Sequence, residues 1–298
     1  MRAAHRAILV LGAGYLGAHV AAGAAAAGHA VTATTRHAGR AAALAARGVR
    51  VVPLDLGAAA SLTGLDTLRD AVELDVYCLL TPSAFERHGV PDPLAALITT
   101  LSRLPLRRAV LASSTGVYGD AAGKIVTAET VAMPRDPRAT RLFVIERVWL
   151  AAPFPTRVVR LAGLYGPGRV IGMARLGRGA ALAGDPQGWL NLIHRSDAAA
   201  ILARCLENEG AHAVELGSDG TPVRRAAYYG HLAAHCGFAP PRFAPDAGRG
   251  GSRRCDPASS WARLGWKPAY PDYRAGIAMS LGRAARPETG MQQDAGGG

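Results

Sequence analysis

The sequence predicts an α/β fold in which helices cover both faces of a parallel β-sheet. Short apolar runs of strand length alternate with longer helical segments along most of the 298 residues. A glycine-rich loop joins the first of these strands to the first helix. Hydrophobic residues make up 49% of the chain and charged residues 19%, so a large core can form and global disorder is excluded.

The predicted strands are continuous apolar runs, as is typical of parallel strands buried on both faces. They are Ala7–Leu11, His29–Thr35, Val49–Leu54, Asp75–Leu80, Arg108–Ser113 and Thr156–Leu161. The intervening helices are predicted to be an alanine-rich segment ending at Ala27, then Ala38–Arg47, one or two helices within 58–73, Pro91–Arg103 and Arg138–Leu150. Residues 119–137 are rich in glycine, aspartate and proline, which predicts a loop.

Beyond Gly166-Pro167-Gly168 the alternation weakens, which predicts a smaller, substrate-side lobe partly interleaved with the sheet. Its predicted helices lie near Ile171–Leu176, Asp197–Glu207, Arg224–Cys236 and Ser259–Leu264, with strands near Trp189–Ile193 and Ala213–Leu216. Asp197 has the character of a helix N-cap. The predicted boundaries are 1–165 for the sheet domain, 166–285 for the lobe and 286–298 for a disordered tail.

The formal net charge of +12 is spread along the chain. A nucleic-acid-binding protein usually concentrates such charge in a stripe, so this distribution favours an anionic small molecule as partner. The four cysteines have neither zinc-ligand nor dense disulfide spacing, and no metal site is predicted. Glycines interrupt the uncharged N-terminal segment, so we expect no signal peptide or membrane span and a cytoplasmic protein.

The glycine loop Gly12-Ala13-Gly14-Tyr15-Leu16-Gly17 follows a predicted strand and opens a helix. In that context Gly12 allows a tight turn, Gly14 lets the backbone approach a pyrophosphate, and Gly17 lets helix and strand pack closely. The N-terminus of the helix then offers free N–H groups to the phosphates. Residues 1–165 are therefore predicted to be a Rossmann-type dinucleotide-binding domain.

The end of the second strand favours NADP(H), with NAD(H) as the alternative. An NAD site places Asp or Glu there to accept from the ribose 2′-OH, whereas this chain has Thr35 and Arg36. Arginine can form a fork onto a 2′-phosphate. The predicted cofactor-binding residues are Gly12, Gly14, Tyr15, Leu16, Gly17, Thr35, Arg36, Asp55, Leu56, Thr81, Pro82 and Ser113.

Three further motifs follow in order: Ser113-Ser114-Thr115-Gly116-Val117-Tyr118-Gly119, Leu164-Tyr165-Gly166-Pro167-Gly168-Arg169, and Trp189 to Asp197. Together with the glycine loop, they resemble the extended short-chain dehydrogenase/reductase superfamily of the NAD-dependent epimerase/dehydratase type. The resemblance covers roughly residues 5–283, and the end of the chain is similar to an atypical branch. It implies hydride chemistry that uses a Ser or Thr, a Tyr and a Lys.

Ser114 matches the serine of that set, with Thr115 beside it, but the Tyr-x-x-x-Lys pair has no counterpart. Only Lys124 and Lys267 are lysines, and neither follows a tyrosine by four residues. Alignment on Pro134 and Glu146 puts Arg138 and Leu142 at the tyrosine and lysine positions. Arginine is a poor acid or base near pH 7 but binds carboxylates and phosphates. The candidate catalytic residues are Ser114, Thr115, Tyr118, Arg138 and Tyr165, with His194 or water as other proton donors.

Three functions stay open from the sequence. The first is an NADP(H)-dependent oxidoreductase that acts on a small polar or anionic substrate with a non-standard proton donor. The second is a redox-neutral epimerase, isomerase or lyase that keeps its cofactor bound. The third is a non-catalytic NADP(H)-binding sensor or scaffold. For each we expect a small-molecule ligand, no nucleic-acid or membrane partner, and a monomer or homodimer.

Overall fold

The structure is a computed structural model that describes residues 6–85, 92–244 and 252–282. The strands are β1 (Ala7–Leu11), β2 (Ala30–Thr34), β3 (Arg50–Val52), β4 (Leu74–Cys78), β5 (Leu106–Ser114), β6 (Ile125–Val126), β7 (Thr156–Leu161), β8 (Gly163–Tyr165), β9 (Trp189–Leu190), β10 (Leu192–His194), β11 (Val214–Gly217), β12 (Val223–Arg224) and β13 (Arg254–Cys255). The helices are α1 (Tyr15–Ala26), α2 (Ala38–Ala45), α3 (Pro93–Leu101), α4 (Pro137–Leu150), α5 (Met173–Gly177), α6 (Arg195–Glu207), α7 (Arg225–Cys236), α8 (Ala258–Leu264) and α9 (Tyr273–Leu281). Short 3-10 helices span Ala59–Leu68, Pro82–Phe85 and Thr115–Tyr118.

Seven of these strands form one sheet in the order β11-β7-β5-β4-β1-β2-β3. Every pairing between neighbours in it is parallel. The chain runs outward from β1 to β3 and then crosses back to β4 on the other side of β1. The carboxyl ends of β1 and β4 therefore flank the switch point, where such sheets bind ligands. The predicted doubly wound α/β fold is confirmed.

Alternate residues of the strands belong to two apolar layers, one on each face of the sheet. Ile8 and Val10 of β1 pack with α1, α2 and α6, whereas Leu9 and Leu11 pack with α3, α4 and the 3-10 helix at Ala59–Leu68. Such alternation follows from the two-residue period of a strand. Because helices cover both faces, the loops that join strands to helices lie at the two ends of the strands.

The remaining strands form three small pairs, β10 with β8, β12 with β9, and β13 with β6. A separate apolar cluster, which includes the rings of Tyr165, Tyr228, Tyr229 and Tyr273, contains residues of β8, β10 and β12. Val126 of β6 and Cys255 of β13 belong to another cluster. Strand β11 comes from the later part of the chain yet joins the large sheet, beside β7. The domain boundary at residue 165 stays a prediction, and the predicted tail at 286–298 lies outside the described residues.

Several sequence expectations differ from the structure. Residues 59–68 form a 3-10 helix, the segment Trp189–Ile193 is divided between β9 and β10, and β6 and α9 were not predicted. Asp197 is not an N-cap, because α6 begins at Arg195 with His194 as its cap. The Asp197 carboxylate instead accepts from the N–H groups of Ala269 and Tyr270, which ties α6 to a later loop.

None of the helices in the described ranges combines the length and apolar character that a bilayer crossing requires.

Candidate cofactor and substrate site

The glycine loop turns sharply between β1 and α1. Gly12 has φ +87°, and its N–H donates to Thr34 Oγ1 at 2.9 Å. A Cβ on Gly12 would stand 3.1 Å from the backbone of Leu79. A side chain is therefore excluded at Gly12 both by its conformation and by the approach of the β4 end.

Gly14 and Gly17 differ in what a side chain would meet. A Cβ on Gly17 would lie 2.2 Å from the Gly12 carbonyl oxygen, so this glycine lets α1 pack against the turn. A Cβ on Gly14 would meet only that same oxygen, at 4.0 Å. Gly14 thus faces open space at the N-terminus of α1, where first-turn N–H groups lack helical partners. The loop therefore fits the pyrophosphate of a dinucleotide.

A cleft of about 240 Å³ opens beside this loop. It collects the carboxyl ends of β1, β2, β3 and β4 at one edge of the sheet. Of the predicted cofactor residues, those that line it are Gly12, Gly14, Thr35, Arg36, Asp55, Leu56 and Thr81. Its apolar lining comes from Leu54, Leu79, Leu80 and Ala84, which the sequence analysis did not single out.

Two arginines, Arg36 and Arg40, line the end of the cleft beside β2. His37 caps α2, because its Nδ1 accepts from the backbone N–H of Arg40 at 3.2 Å. This cap starts α2 directly after the strand, so Arg36 lies just before the helix and Arg40 in its first turn. The carboxylate of Asp55 follows β3 on the same cleft and accepts from the N–H of Gly57 at 3.1 Å.

Other predicted cofactor residues lie around the cleft and do not line it. Leu16 is buried in the apolar layer under α1, and the Tyr15 ring packs against Arg169 and Arg195. Pro82 starts the short 3-10 helix that follows β4. Ser113 is buried, and its hydroxyl donates to the carboxylate of Glu146, so it is engaged in the core.

The candidate catalytic residues at the end of β5 fall into two environments. Ser114 Oγ accepts from the N–H of Gly116 at 3.1 Å, which leaves its own hydroxyl hydrogen free to donate. Thr115 is buried beside Cys255. Ser114 is therefore the better placed of the two to bind a substrate oxygen.

The three candidate proton donors are buried and oriented inward. The Tyr118 hydroxyl donates to the Thr127 carbonyl at 2.7 Å, and burial raises the pKa of Tyr118 to about 12. The Tyr165 hydroxyl donates to the Asp272 carbonyl at 3.3 Å, and burial also raises its pKa. Burial and the charge of Arg195 lower the pKa of His194 to about 4, so its imidazole is neutral near pH 7. None of the three has an exposed polar group that is poised to protonate a ligand.

Arg138 occupies the first turn of α4, after the N-cap Asp136, whose carboxylate accepts from the N–H of Ala139 at 2.9 Å. Arg138 and Leu142 are one turn apart on the face of α4 that packs onto the sheet. Leu142 is buried, whereas Arg138 is exposed and has no ion-pair partner among the described residues. Although α4 packs against β5 and Thr115–Tyr118, Arg138 is not among the residues that line the cleft described above.

Asp219 is a buried carboxyl group at the carboxyl end of β11. Its Oδ1 accepts from the N–H of Thr221 at 3.0 Å, and its Oδ2 has no hydrogen-bond partner. Burial, reinforced by the nearby carboxylates of Asp272 and Asp197, raises the pKa of Asp219 to about 8. The folded protein therefore holds a proton here that the unfolded chain releases near pH 4.

The proton on Asp219 makes stability depend on pH. Since the folded state binds more protons than the unfolded state between these two pKa values, the free energy of unfolding falls as pH rises from about 4 to about 8 and levels off above that. Asp219→Asn cannot ionise, so at pH 8.5 it should be more stable than the wild type by at least about 1 kcal/mol. Urea unfolding at pH 5.5 and 8.5 measures this, with the exposed Asp185→Asn as control. An identical pH dependence in Asp219→Asn and the wild type would contradict it.

Two contacts of polar residues were missed by the sequence analysis. Glu146 forms a buried ion pair with Arg160 at 2.8 Å. The signal for it was a carboxylate on the apolar stripe of α4, between Leu142 and Trp149. Arg195 carries no such signal, because its contact with Tyr15 joins two distant parts of the chain. No metal-binding group of His, Cys, Asp or Glu occurs in the part of the chain that the structure describes.

Comparison with known proteins agrees with this architecture. Residues 8–217 match the model of the NAD dependent epimerase/dehydratase family. Protein YeeZ of Escherichia coli (strain K12) is 32% identical over 222 residues, which cover 70% of this chain and 75% of YeeZ.

Solved structures extend the likeness over nearly the whole chain. A conserved protein of unknown function from Silicibacter pomeroyi is 26% identical with a TM-score of 0.77, and the match covers 93% of this chain and 98% of that one. The Bordetella bronchiseptica enzyme WbmG, solved in complex with NAD and UDP, has a TM-score of 0.78 at 20% identity, over 93% of this chain and 94% of its own. The family model and the match to YeeZ show that this chain belongs to the NAD dependent epimerase/dehydratase family.

Proposed function

We propose that this protein is an NADP(H)-dependent oxidoreductase that acts on a small polar or anionic substrate. The observation that carries the proposal is the pair Arg36 and Arg40 on the cleft beside the end of β2, where an NAD site would hold a carboxylate. The planar guanidinium fork suits a 2′-phosphate. Asp55 lines the same cleft, after β3, where its carboxylate suits the adenine amino group.

Titration of the purified protein with NADPH and NADH tests the cofactor preference. The wild type should bind NADPH more tightly, and Arg36→Ala should weaken NADPH binding by about 1–3 kcal/mol, the range of a hydrogen bond to a charged group. Its affinity for NADH should stay nearly unchanged. Arg47→Ala, which removes an exposed arginine at the far end of α2, serves as the matched control. Equal affinity of the wild type for both cofactors would contradict the proposal.

We assign Ser114 and Arg138 to the substrate end of the proposed site. A bound nicotinamide would supply the hydride or accept it. The free hydroxyl hydrogen of Ser114 would hold the substrate oxygen, and the guanidinium of Arg138 would bind a carboxylate or phosphate at any working pH. Because Tyr118, Tyr165 and His194 are buried, the proton for a carbonyl reduction would come from water.

A non-catalytic NADP(H) sensor is the second candidate. It is favoured by the engagement of both tyrosine hydroxyls with backbone carbonyls and by the arginine and leucine at the positions of the family's Tyr and Lys. The absorbance of NADPH at 340 nm, followed with a panel of carbonyl acids and sugar phosphates, separates the candidates. Net oxidation supports the oxidoreductase, binding without any turnover supports the sensor, and product without net cofactor change indicates a redox-neutral enzyme of the epimerase/dehydratase kind.

A further inference from the structure

Two arginine side chains converge on Tyr15, the first residue of α1, from outside the cleft. The guanidinium carbon of Arg195 lies 4.8 Å from the centre of the Tyr15 ring, and that of Arg169 lies 5.5 Å from it. Arg195 is the first residue of α6, and Arg169 follows the turn Gly166-Pro167-Gly168. Two positively charged guanidinium groups therefore lie against the Tyr15 ring, beside the glycine loop. We call Arg169 and Arg195 the arginine pair.

The arginine pair has no anionic partner in the described parts of the chain, where neither guanidinium forms an ion pair or a hydrogen bond. Three buried polar atoms at the same place also lack partners: Tyr15 Oη, His194 Nε2 and Arg195 Nε. The first two lie 2.8 and 3.2 Å from the point where a Cβ on Gly166 would stand. Buried polar atoms are normally hydrogen-bonded, so their grouping here indicates a missing polar ligand or bound water.

The positive charge around the arginine pair favours an anion as the missing ligand. The N-termini of α1 and α6 both carry partial positive charge, and a cation at such an end is unfavourable. Arg195 stands at one of these ends and beside the other, with the like charge of Arg169 on the same ring. Burial is the main cause of the lowered pKa values of His19 and His194, and the charge of Arg195 is the second; at a pKa of about 4 the His194 imidazole is neutral near pH 7. An anion bound between the two arginines and the two helix N-termini would offset this repulsion between positive charges.

The position of Tyr15 indicates which anion would bind to the arginine pair. Tyr15 follows Gly14 directly, so its ring projects from the helix end whose N–H groups face the open space over Gly14. We propose that Arg169 and Arg195 bind the pyrophosphate of the dinucleotide from the α6 side, opposite the glycine loop. This assignment rests on the proposed cofactor site. It adds two positioning residues from α6 and the turn after β8 to the groups that hold the cofactor.

Binding of four probes by isothermal titration calorimetry tests this proposal. NADPH, NADH and ADP-ribose contain the pyrophosphate, whereas 2′-AMP lacks it. Arg195→Gln and Arg169→Gln should each weaken the first three by at least about tenfold, the loss of one charge-assisted hydrogen bond, and leave 2′-AMP unchanged. Arg36→Ala should show the reverse pattern, because it should weaken NADPH and 2′-AMP but not NADH. Arg47→Gln is the control for loss of one positive charge.

The outcomes separate this inference from the proposed function. If the wild type binds the dinucleotides and both glutamine variants bind them equally well, the arginine pair does not hold the pyrophosphate. A loss that also extends to 2′-AMP or to Arg47→Gln would show a general charge effect and overturn the assignment as well. A wild type that binds none of the probes would overturn the proposed function and this inference together. Thermal unfolding of each variant verifies its fold, and either arginine alone suffices for the test if the other variant unfolds.

Discussion

Replacing Gly14 by valine should abolish binding of both NADPH and NADH while the protein still folds. A Cβ on Gly14 has free space in the folded protein, because the nearest atom, the Gly12 carbonyl oxygen, is 4.0 Å away, so the added Cβ meets no protein atom at close range. The same space is where the pyrophosphate would approach the backbone. The steric conflict is therefore with the ligand alone. Calorimetric titration and thermal unfolding measure the two effects separately.

Two other glycines provide matched comparisons for Gly14→Val. Gly23 lies in the same helix, and a Cβ there meets nothing within 4 Å, so Gly23→Val should bind both cofactors normally. A Cβ on Gly17 would collide with the Gly12 carbonyl at 2.2 Å, so Gly17→Val should lose stability together with binding. If Gly14→Val binds cofactor as the wild type does, the loop has only a structural role.

Replacing Arg160 by methionine should destabilise the protein by about 3–5 kcal/mol, because it leaves a buried carboxylate without its partner. Glu146 is fully buried and Arg160 is 6% exposed. Arg160 Nη2 contacts Glu146 Oε2 at 2.8 Å, its Nε lies 3.2 Å from both carboxylate oxygens, and Ser113 donates to the same group. The pair joins α4 to β7, and the guanidinium carbon of Arg160 lies 4.9 Å from the centre of the Tyr118 ring. Urea unfolding measures the loss.

The exposed pair Arg69–Asp66 is the control for the buried one. Its side chains are about half exposed, so Arg69→Met should cost less than about 1 kcal/mol. The double variant Arg160→Met with Glu146→Leu removes both charges and should be more stable than Arg160→Met alone. If Arg160→Met lowers the free energy of unfolding no more than Arg69→Met does, then leaving the Glu146 carboxylate buried without its partner costs no stability, and the prediction is wrong.

The local features of the cofactor site could be predicted because they depend on residues close together in sequence. The glycine loop, Arg36 and Asp55 all follow directly after apolar strands, and parallel strands bring such loops to one edge. Those residues do line one cleft. The prediction was weaker for side chains whose partners are distant. Ser113 was assigned to the cofactor, yet its hydroxyl is engaged with Glu146, 33 residues later.

The sequence by itself determined the parallel α/β sheet, the family and the position of the dinucleotide loop. Strand and helix periodicity and the conformations open only to glycine are local properties of the chain. Tertiary structure alone decided that Tyr118 and Tyr165 are turned onto backbone carbonyls and that Asp197 joins α6 to a later loop. It also brought Arg169 and Arg195 together on Tyr15. Burial and charge at these positions come from residues far apart in sequence, which no local pattern encodes.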